Sequence, residues 1–408
     1  MNKKINNIVS AFFVVAIGLC SYGCGNPKES TGYDGKEFDI SVAQDNSVKA
    51  SLKKVGTNFE LTISGSGEVL SYERKELVPW NAISKKINKV DIKDGITNIG
   101  DYFFYSTNIE EFYIPSSIKN VEANSFNSLA KVYSYSTEPI EVAGENQVYI
   151  LSETNPSVYG EYWHMVGATP VIWDMYKIMF IGNSFTFFPS DLFSVENPAI
   201  CALTKEIASS VGIELDVDFV VKGAHSLKKF ANEKDEMGSI VDAKLKSASD
   251  YDYVVLQEHS TTPVNDYKSF SGGVESLLNK INKTQKDCKV YLYATWGFPS
   301  GVSETSVFSS VSKMEELIRK AYHQCGEELS LPVSDIGEAF TYVYENHQNI
   351  SLYGSDDKHQ SYEGAYLSSC VHVANMFKVD VREVSFNGNL DEATARILKE
   401  TAYKVVFE

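Results

Sequence analysis

The sequence predicts an α/β protein: a mostly parallel sheet of about five strands covered by helices on both faces, preceded by a small domain of β repeats. Three observations carry this reading. At 408 residues the chain is long enough for two domains, each burying a core of its own. From Tyr176 onward, short apolar runs alternate with segments of helical apolar spacing. Between Ile92 and Ser128 one apolar pattern recurs at an offset of 22 residues.

The chain opens with Lys3 and Lys4 ahead of "IVSAFFVVAIGLC", a run too short to span a bilayer comfortably and of the length and charge of a secretory signal. The context "SYGCGN" resembles a bacterial lipoprotein processing site, with the small Gly23 before Cys24. That resemblance implies a lipoprotein signal segment over residues 1–24 that is cleaved just before the cysteine, lipidation at Cys24 and a place at the cell envelope or surface. Residues 25–40, "GNPKESTGYDGKEFDI", are polar and glycine-containing and read as a flexible tether.

Residues 41–173 form the expected repeat domain. "IKDGITNIGDYFFYS" and "IPSSIKNVEANSFNS" superpose Ile92 on Ile114, Ile96 on Ile118, Ile99 on Val121 and Phe104 on Phe126. A period in the twenties with one short strand per unit is the mark of a leucine-rich β-solenoid, whose units stack to bury a shared core. "FELTISGSGEV" with Trp80, and "KVYSYS" after the repeats, supply flanking strands, and "YWHMVGATPVIWDM" a closing one. These residues resemble the BspA-like leucine-rich repeats of bacterial surface proteins, which implies a glycan or protein ligand, or a spacer.

Residues 174–408 carry the α/β pattern. Apolar strands "KIMFIG", "LDVDFVV", "YDYVVLQ", "KVYLYATW" and "LPVSDIG" are separated by helical segments such as 199–212, 227–248 and 309–326. In sheets of this kind the reactive residues gather at the carboxyl ends of the strands. The first such end is "FIGNSFT", where Gly182 and Asn183 permit a sharp strand-to-helix turn that would present Ser184 beside helix N-terminal amides. A turn with a helix cap has the same residues. After the last strand, "LYGSDDKHQSYEG" holds Asp356 and His359 three apart, close enough for the carboxylate to orient the imidazole.

The set resembles the SGNH or GDSL hydrolase family. The likeness rests on "GNSFT", on Gly223 in "VVKGAHS", on "VVLQEHS" and on "DDKH", and more narrowly suggests a branch of that family common in gut bacteria. It implies a flavodoxin-like three-layer fold and a serine esterase with Ser184 as nucleophile, His359 as base and Asp356 as orienting acid. It also implies an oxyanion hole from the amides of Ser184 and Gly223 with a side chain of the third block. Two departures stand out: Asn183 replaces the usual Asp, and Gln257, Glu258 and His259 stand where the family has an Asn donor. Gln257 is the expected donor and His259 the alternative.

Trp296 in "ATWGFP", His225 and Glu258 are the candidates to line the substrate pocket, Trp296 by stacking on a sugar ring or else simply by packing, and His225 as a pocket residue or else as a polar loop histidine. The expected substrate is a short acyl ester, acetyl above all, on carbohydrate. The competing class is a surface-binding protein acting through its repeats beside a weakly active hydrolase domain. A formal charge of −17 argues against nucleic acid and anionic membrane surfaces as partners, leaving the lipid anchor as the membrane contact. No CxxC or zinc-spaced Cys/His cluster occurs, and the motifs require neither cofactor nor metal.

Overall fold

A computed structural model describes residues 30–187, 193–247, 250–302 and 307–408. The signal segment, Cys24 and the start of the tether lie outside the described residues. The rest of the tether is structured. Ser30–Tyr33 is a 3-10 turn, and β1 (Glu37–Asp39) pairs antiparallel with β2 (Val48–Val55). The physical reason is apolar: Ile40 is fully buried, and the Phe38 ring lies 6.3 Å from that of Trp80. A hairpin joins β2 to β3 (Asn58–Gly65), which runs parallel to β4 (Ile87–Ile92).

Two parallel ladders follow. One comprises β5 (Asn98–Ile99), β7 (Asn120–Val121) and β9 (Glu141–Val142); the other comprises β6 (Glu111–Ile114), β8 (Lys131–Ser134) and β10 (Gln147–Leu151). The 22-residue offset becomes contact here. Ile99 pairs with Val121, and the rings of Phe104 and Phe126 stack at 5.6 Å. All eight side chains matched in the sequence are buried, so each unit finds its apolar partner in the next one.

β11 (Tyr162–Val166) then pairs with β10 and, antiparallel, with the first part of β12 (Thr169–Gly182). The second part of β12, from Asp174 to Gly182, pairs parallel with β13 (Ile213–Val221). The boundary expected between residues 173 and 174 therefore falls inside a 14-residue strand, and one nine-stranded sheet runs through both parts.

Beyond β12 come α1 (Ser184–Phe187), α2 (Ala199–Ser209), β13, α3 (Leu227–Phe230), α4 (Glu236–Ser247) and β14 (Tyr253–Leu256). Next are α5 (Thr262–Asn265), α6 (Tyr267–Thr284), β15 (Lys289–Ala294), α7 (Val311–Leu329) and β16 (Val333–Asp335). The chain ends with α8 (Ile336–Asn346), α9 (Tyr362–Phe377) and α10 (Glu392–Phe407). The five strands are parallel in the order β13-β12-β14-β15-β16, the 2-1-3-4-5 order of flavodoxin-like sheets. α2 packs on α9 and α9 on α10, while α4 packs on α6 and α6 on α7, giving three layers. Every residue of β14 is buried, as a strand covered on both faces requires.

The expected helix over 227–248 is two helices, because the Asp235 carboxylate accepts from the amides of Met237 and Gly238 and starts α4 afresh. α6 carries Gly272 and Gly273 within its helix. Gly273 allows close packing: a Cβ there would come within 2.7 Å of the Lys228 backbone nitrogen. Cys201, Cys325 and Cys370 are buried free thiols and Cys288 is half-buried.

Candidate active site

The carboxyl ends of β12, β13, β14 and β15 meet around Ser184. β12 stops at Gly182, where a Cβ would collide with Thr186 Oγ1 and stand 2.8 Å from Gln257 Oε1, so only glycine fits. Asn183 is buried and satisfied. Its carbonyl accepts from Thr186 N–H at 2.8 Å, its Oδ1 accepts from Phe185 N–H at 3.2 Å, and its Nδ2 donates to the His225 carbonyl at 3.1 Å. That last bond needs a donor, which an ionised Asp could not supply. Ser184 thus stands at the first position of α1, and its backbone amide has no acceptor among the described residues.

The loop before α9 faces it. Ser184 Oγ donates to His359 Nε2 at 2.8 Å, and His359 Nδ1 donates to Asp356 Oδ2 at 2.5 Å. Asp356 Oδ1 also accepts the backbone amides of Lys358 and His359, at 3.1 and 3.0 Å. Burial alone would raise the Asp356 carboxyl, but the imidazole and the two amides outweigh it and hold it below the usual carboxylate range. The ionised carboxylate therefore fixes the proton on Nδ1 and leaves Nε2 as the acceptor for the serine hydroxyl. Such a chain can move a proton from Ser184 to His359 as the oxygen attacks an electrophile.

Three aromatic layers hold the imidazole. The Phe185 ring meets His359 edge-on at 5.4 Å and Trp296 at 4.7 Å, and Trp296 lies flat on Phe340 at 4.2 Å. Of the two readings of Trp296, stacking on a sugar and simple packing, the first does not hold. Trp296 is fully buried, with its Nε1 donating to the Lys358 carbonyl at 3.0 Å, so both ring faces and the polar edge are in use. Gln360 was not anticipated; its amide reaches the Phe185 carbonyl at 3.2 Å and ties α1 to the histidine loop.

The third block also differs from expectation. Gln257 is buried, and its Oε1 accepts from Asn183 N–H at 2.8 Å and Thr186 Oγ1 at 3.1 Å. An N–H donor fixes which end of the amide faces it, so Nε2 points away and donates to the Glu258 carbonyl. Gln257 holds the turn in place and does not present its amide to Ser184. Glu258 is buried too, accepting from Leu227 N–H at 3.1 Å and His259 N–H at 2.5 Å. Burial pushes its carboxyl up to about 7, and no part of it lines the site. His225 is likewise taken: its Nε2 bonds Asp235 Oδ1 at 2.9 Å and its ring packs on Phe230.

What does line the cavity at Ser184, about 140 Å³, is Asn183, Phe185, Ala224, His259, Ser260, Lys358 and His359. Gly223, the expected donor of its block, sits one residue back from Ala224. The turn Lys222–His225 is closed by His225 N–H on the Lys222 carbonyl at 3.2 Å and holds Ala224 at φ +55°, a left-handed conformation uncommon for alanine. The amides of Gly223 and Ala224 have no acceptor among the described residues.

Several solved structures are similar to this chain. A DUF4886 family protein from Bacteroides uniformis is 16% identical with a TM-score of 0.49, the match covering 57% of this chain and 95% of that one. A catalytic mutant of an acetylxylan esterase from Geobacillus stearothermophilus is 14% identical with a TM-score of 0.34, covering 52% of this chain and 94% of its own. A member of the lipolytic protein G-D-S-L family from Veillonella parvula is 13% identical with a TM-score of 0.36, covering 50% and 98% respectively. No curated protein matches the chain. Residues 82–146 match the family described as BspA type leucine-rich repeat region, in six copies, over the stretch whose paired ladders carry the 22-residue period.

Proposed function

We propose that the protein is a serine ester hydrolase that removes short acyl groups, acetyl above all, from carbohydrate. One observation carries the proposal: the unbroken relay from Ser184 Oγ through His359 to Asp356, at 2.8 and 2.5 Å. His359 takes the hydroxyl proton as Ser184 Oγ attacks the ester carbonyl, and Asp356 balances the imidazolium. The amide of Ser184 and those of the Gly223–Ala224 turn, all without acceptors among the described residues, are the donors for the tetrahedral oxyanion; losing one such donor costs about 10² to 10³ in rate. The alcohol leaves with the proton from His359. Water, deprotonated by the same imidazole, then attacks the acyl-serine and releases the acid.

The small cavity at Ser184 supports a short acyl group. The sequence around Cys24 supports a lipid-anchored place at the cell envelope, with the repeats free to take a glycan or protein ligand. The test is turnover of aryl and alkyl acetates by the full chain beside Ser184→Ala, with mass spectrometry of a fluorophosphonate adduct. Acetate release and a single adduct on Ser184 are expected. Equal slow release by both proteins, with no adduct, would sink the proposal.

A further inference from the structure

The loop Asp356–His359 contributes to two cavities. One is the small cleft containing Ser184, which Lys358 and His359 line. The other is larger, about 520 Å³, and is lined by Pro299, Tyr344, Gln348, Ser351, Tyr353 and Asp357 among others. Asp357 and Lys358 are neighbours in the chain, about 3.8 Å apart at Cα, so adjacent residues of one loop line the two cavities. A volume of this size is in the range of small-molecule sites.

Its chemistry is selective. Tyr344, near the end of α8, is 41% exposed and stands edge-on to Tyr353 at 6.0 Å. Tyr353 is fixed by its hydroxyl on the Gly297 carbonyl at 2.7 Å, giving the exposed ring a rigid backing. The Asp357 carboxylate and the Gln348 amide are exposed and have no partner among the described residues. The backbone behind Asp357 is held, its carbonyl accepting from Ser300 N–H at 3.2 Å and Ser300 Oγ at 3.1 Å. Among the described residues no basic side chain lines the cavity, which argues against a phosphate or other anion, and its polar rim argues against a long acyl chain.

We propose that this second cavity is the subsite for the alcohol portion of the ester and takes a pyranose ring. The C–H face of the sugar lies on Tyr344, and its hydroxyls donate to Asp357 and exchange hydrogen bonds with Gln348. The ring then carries its ester over the Asp357–Lys358 step of the loop toward Ser184. This assignment rests on the esterase reading for the turnover arm of its test, but the binding arm is independent of it.

The turnover arm compares ethyl acetate, which has no ring to lay on Tyr344, with 6-O-acetylglucose, whose other hydroxyls are free, using the full chain and its Tyr344→Ala and Asp357→Asn variants. Tyr344→Ala raises KM for 6-O-acetylglucose about tenfold and leaves ethyl acetate within about twofold, as loss of one stacking face predicts. Equal changes on both substrates, or on neither, overturn the subsite. So does a wild type that cleaves ethyl acetate but ignores 6-O-acetylglucose. The binding arm uses saturation-transfer NMR on Ser184→Ala with 6-O-acetylglucose. Transfer to the sugar protons that disappears in the Ser184→Ala, Tyr344→Ala double variant supports the site. No transfer overturns it even if turnover has failed because Ser184 is not a nucleophile.

Discussion

The indole Nε1 of Trp296 donates to the carbonyl of Lys358 at 3.0 Å, tying the end of β15 to the loop that carries Asp356 and His359. Because the same ring is stacked on Phe340, the loop inherits the rigidity of the core. Trp296→Phe keeps the stack and removes the bond. Its expected effect is a fall in kcat of about ten- to a hundredfold on ethyl acetate, with KM nearly unchanged, since small displacements of reacting groups are costly. A variant that loses thermal stability but keeps kcat at 20 °C would show that Trp296 only packs.

Asp356→Asn removes the charge that fixes the proton on His359 Nδ1. A loss in kcat on the order of 10⁴ is expected with KM little changed, because the wrong tautomer is then favoured. Folding carries a second sign. The carboxylate is lowered in the folded state, so its contribution to stability is full above its ordinary value of 3.8 and disappears as pH falls through the lowered one. The gap between wild type and Asp356→Asn in urea midpoint should accordingly close only in strong acid.

Gln257→Met leaves Asn183 N–H and Thr186 Oγ1 without their shared acceptor in a buried turn. Unfolding free energy should drop by about 1–3 kcal/mol, read from urea denaturation. Were Gln257 an oxyanion donor, kcat would fall by at least about a hundredfold in protein that remains folded. A stability loss with kcat within about tenfold is the expected result.

Glu258 gives the opposite pH sign to Asp356. Its folded value of about 7 lies above the ordinary value of 4.5, so the stability linked to it is full below 4.5 and lost as pH rises through 7. Glu258→Gln keeps the acceptor for Leu227 N–H and removes the titration. Wild type should lose stability relative to this variant between pH 5 and 8, by on the order of 3 kcal/mol. Parallel stability curves for the two proteins would contradict the burial of an ionisable carboxyl there.

The parts of the site written in short motifs were legible. Ser184 sits on a Gly-Asn turn at a strand end, and Asp356 and His359 lie on one loop; each motif alone is weak, and the two together, with the family resemblance, pointed to them. The stacking of Phe104 on Phe126 was readable because repeated units bury the same positions. What was hidden depends on partners far along the chain. Gln257 looks like a donor until the amide of Asn183, in another strand's turn, claims its oxygen. Trp296 follows a strand end and reads as exposed, yet Phe340 from α8 lies flat against it. β1 looked like tether because its polar residues outnumber Phe38 and Ile40, the two that carry the contact. The length of β12 was masked by Asp174 and Lys177, polar residues inside a strand that changes partners at that point.

That change of partners limits how this protein could be recombined. A cut between Trp173 and Asp174 would free neither half cleanly. Thr169–Trp173 would stay paired to β11 in the repeat half, and the other half would begin at Asp174, its first strand severed from the segment that leads into it. Gene fusions or truncations that respect the fold must keep residues from β11 onward together with Ser184. The two halves thus share one strand, and it ends two residues before Ser184.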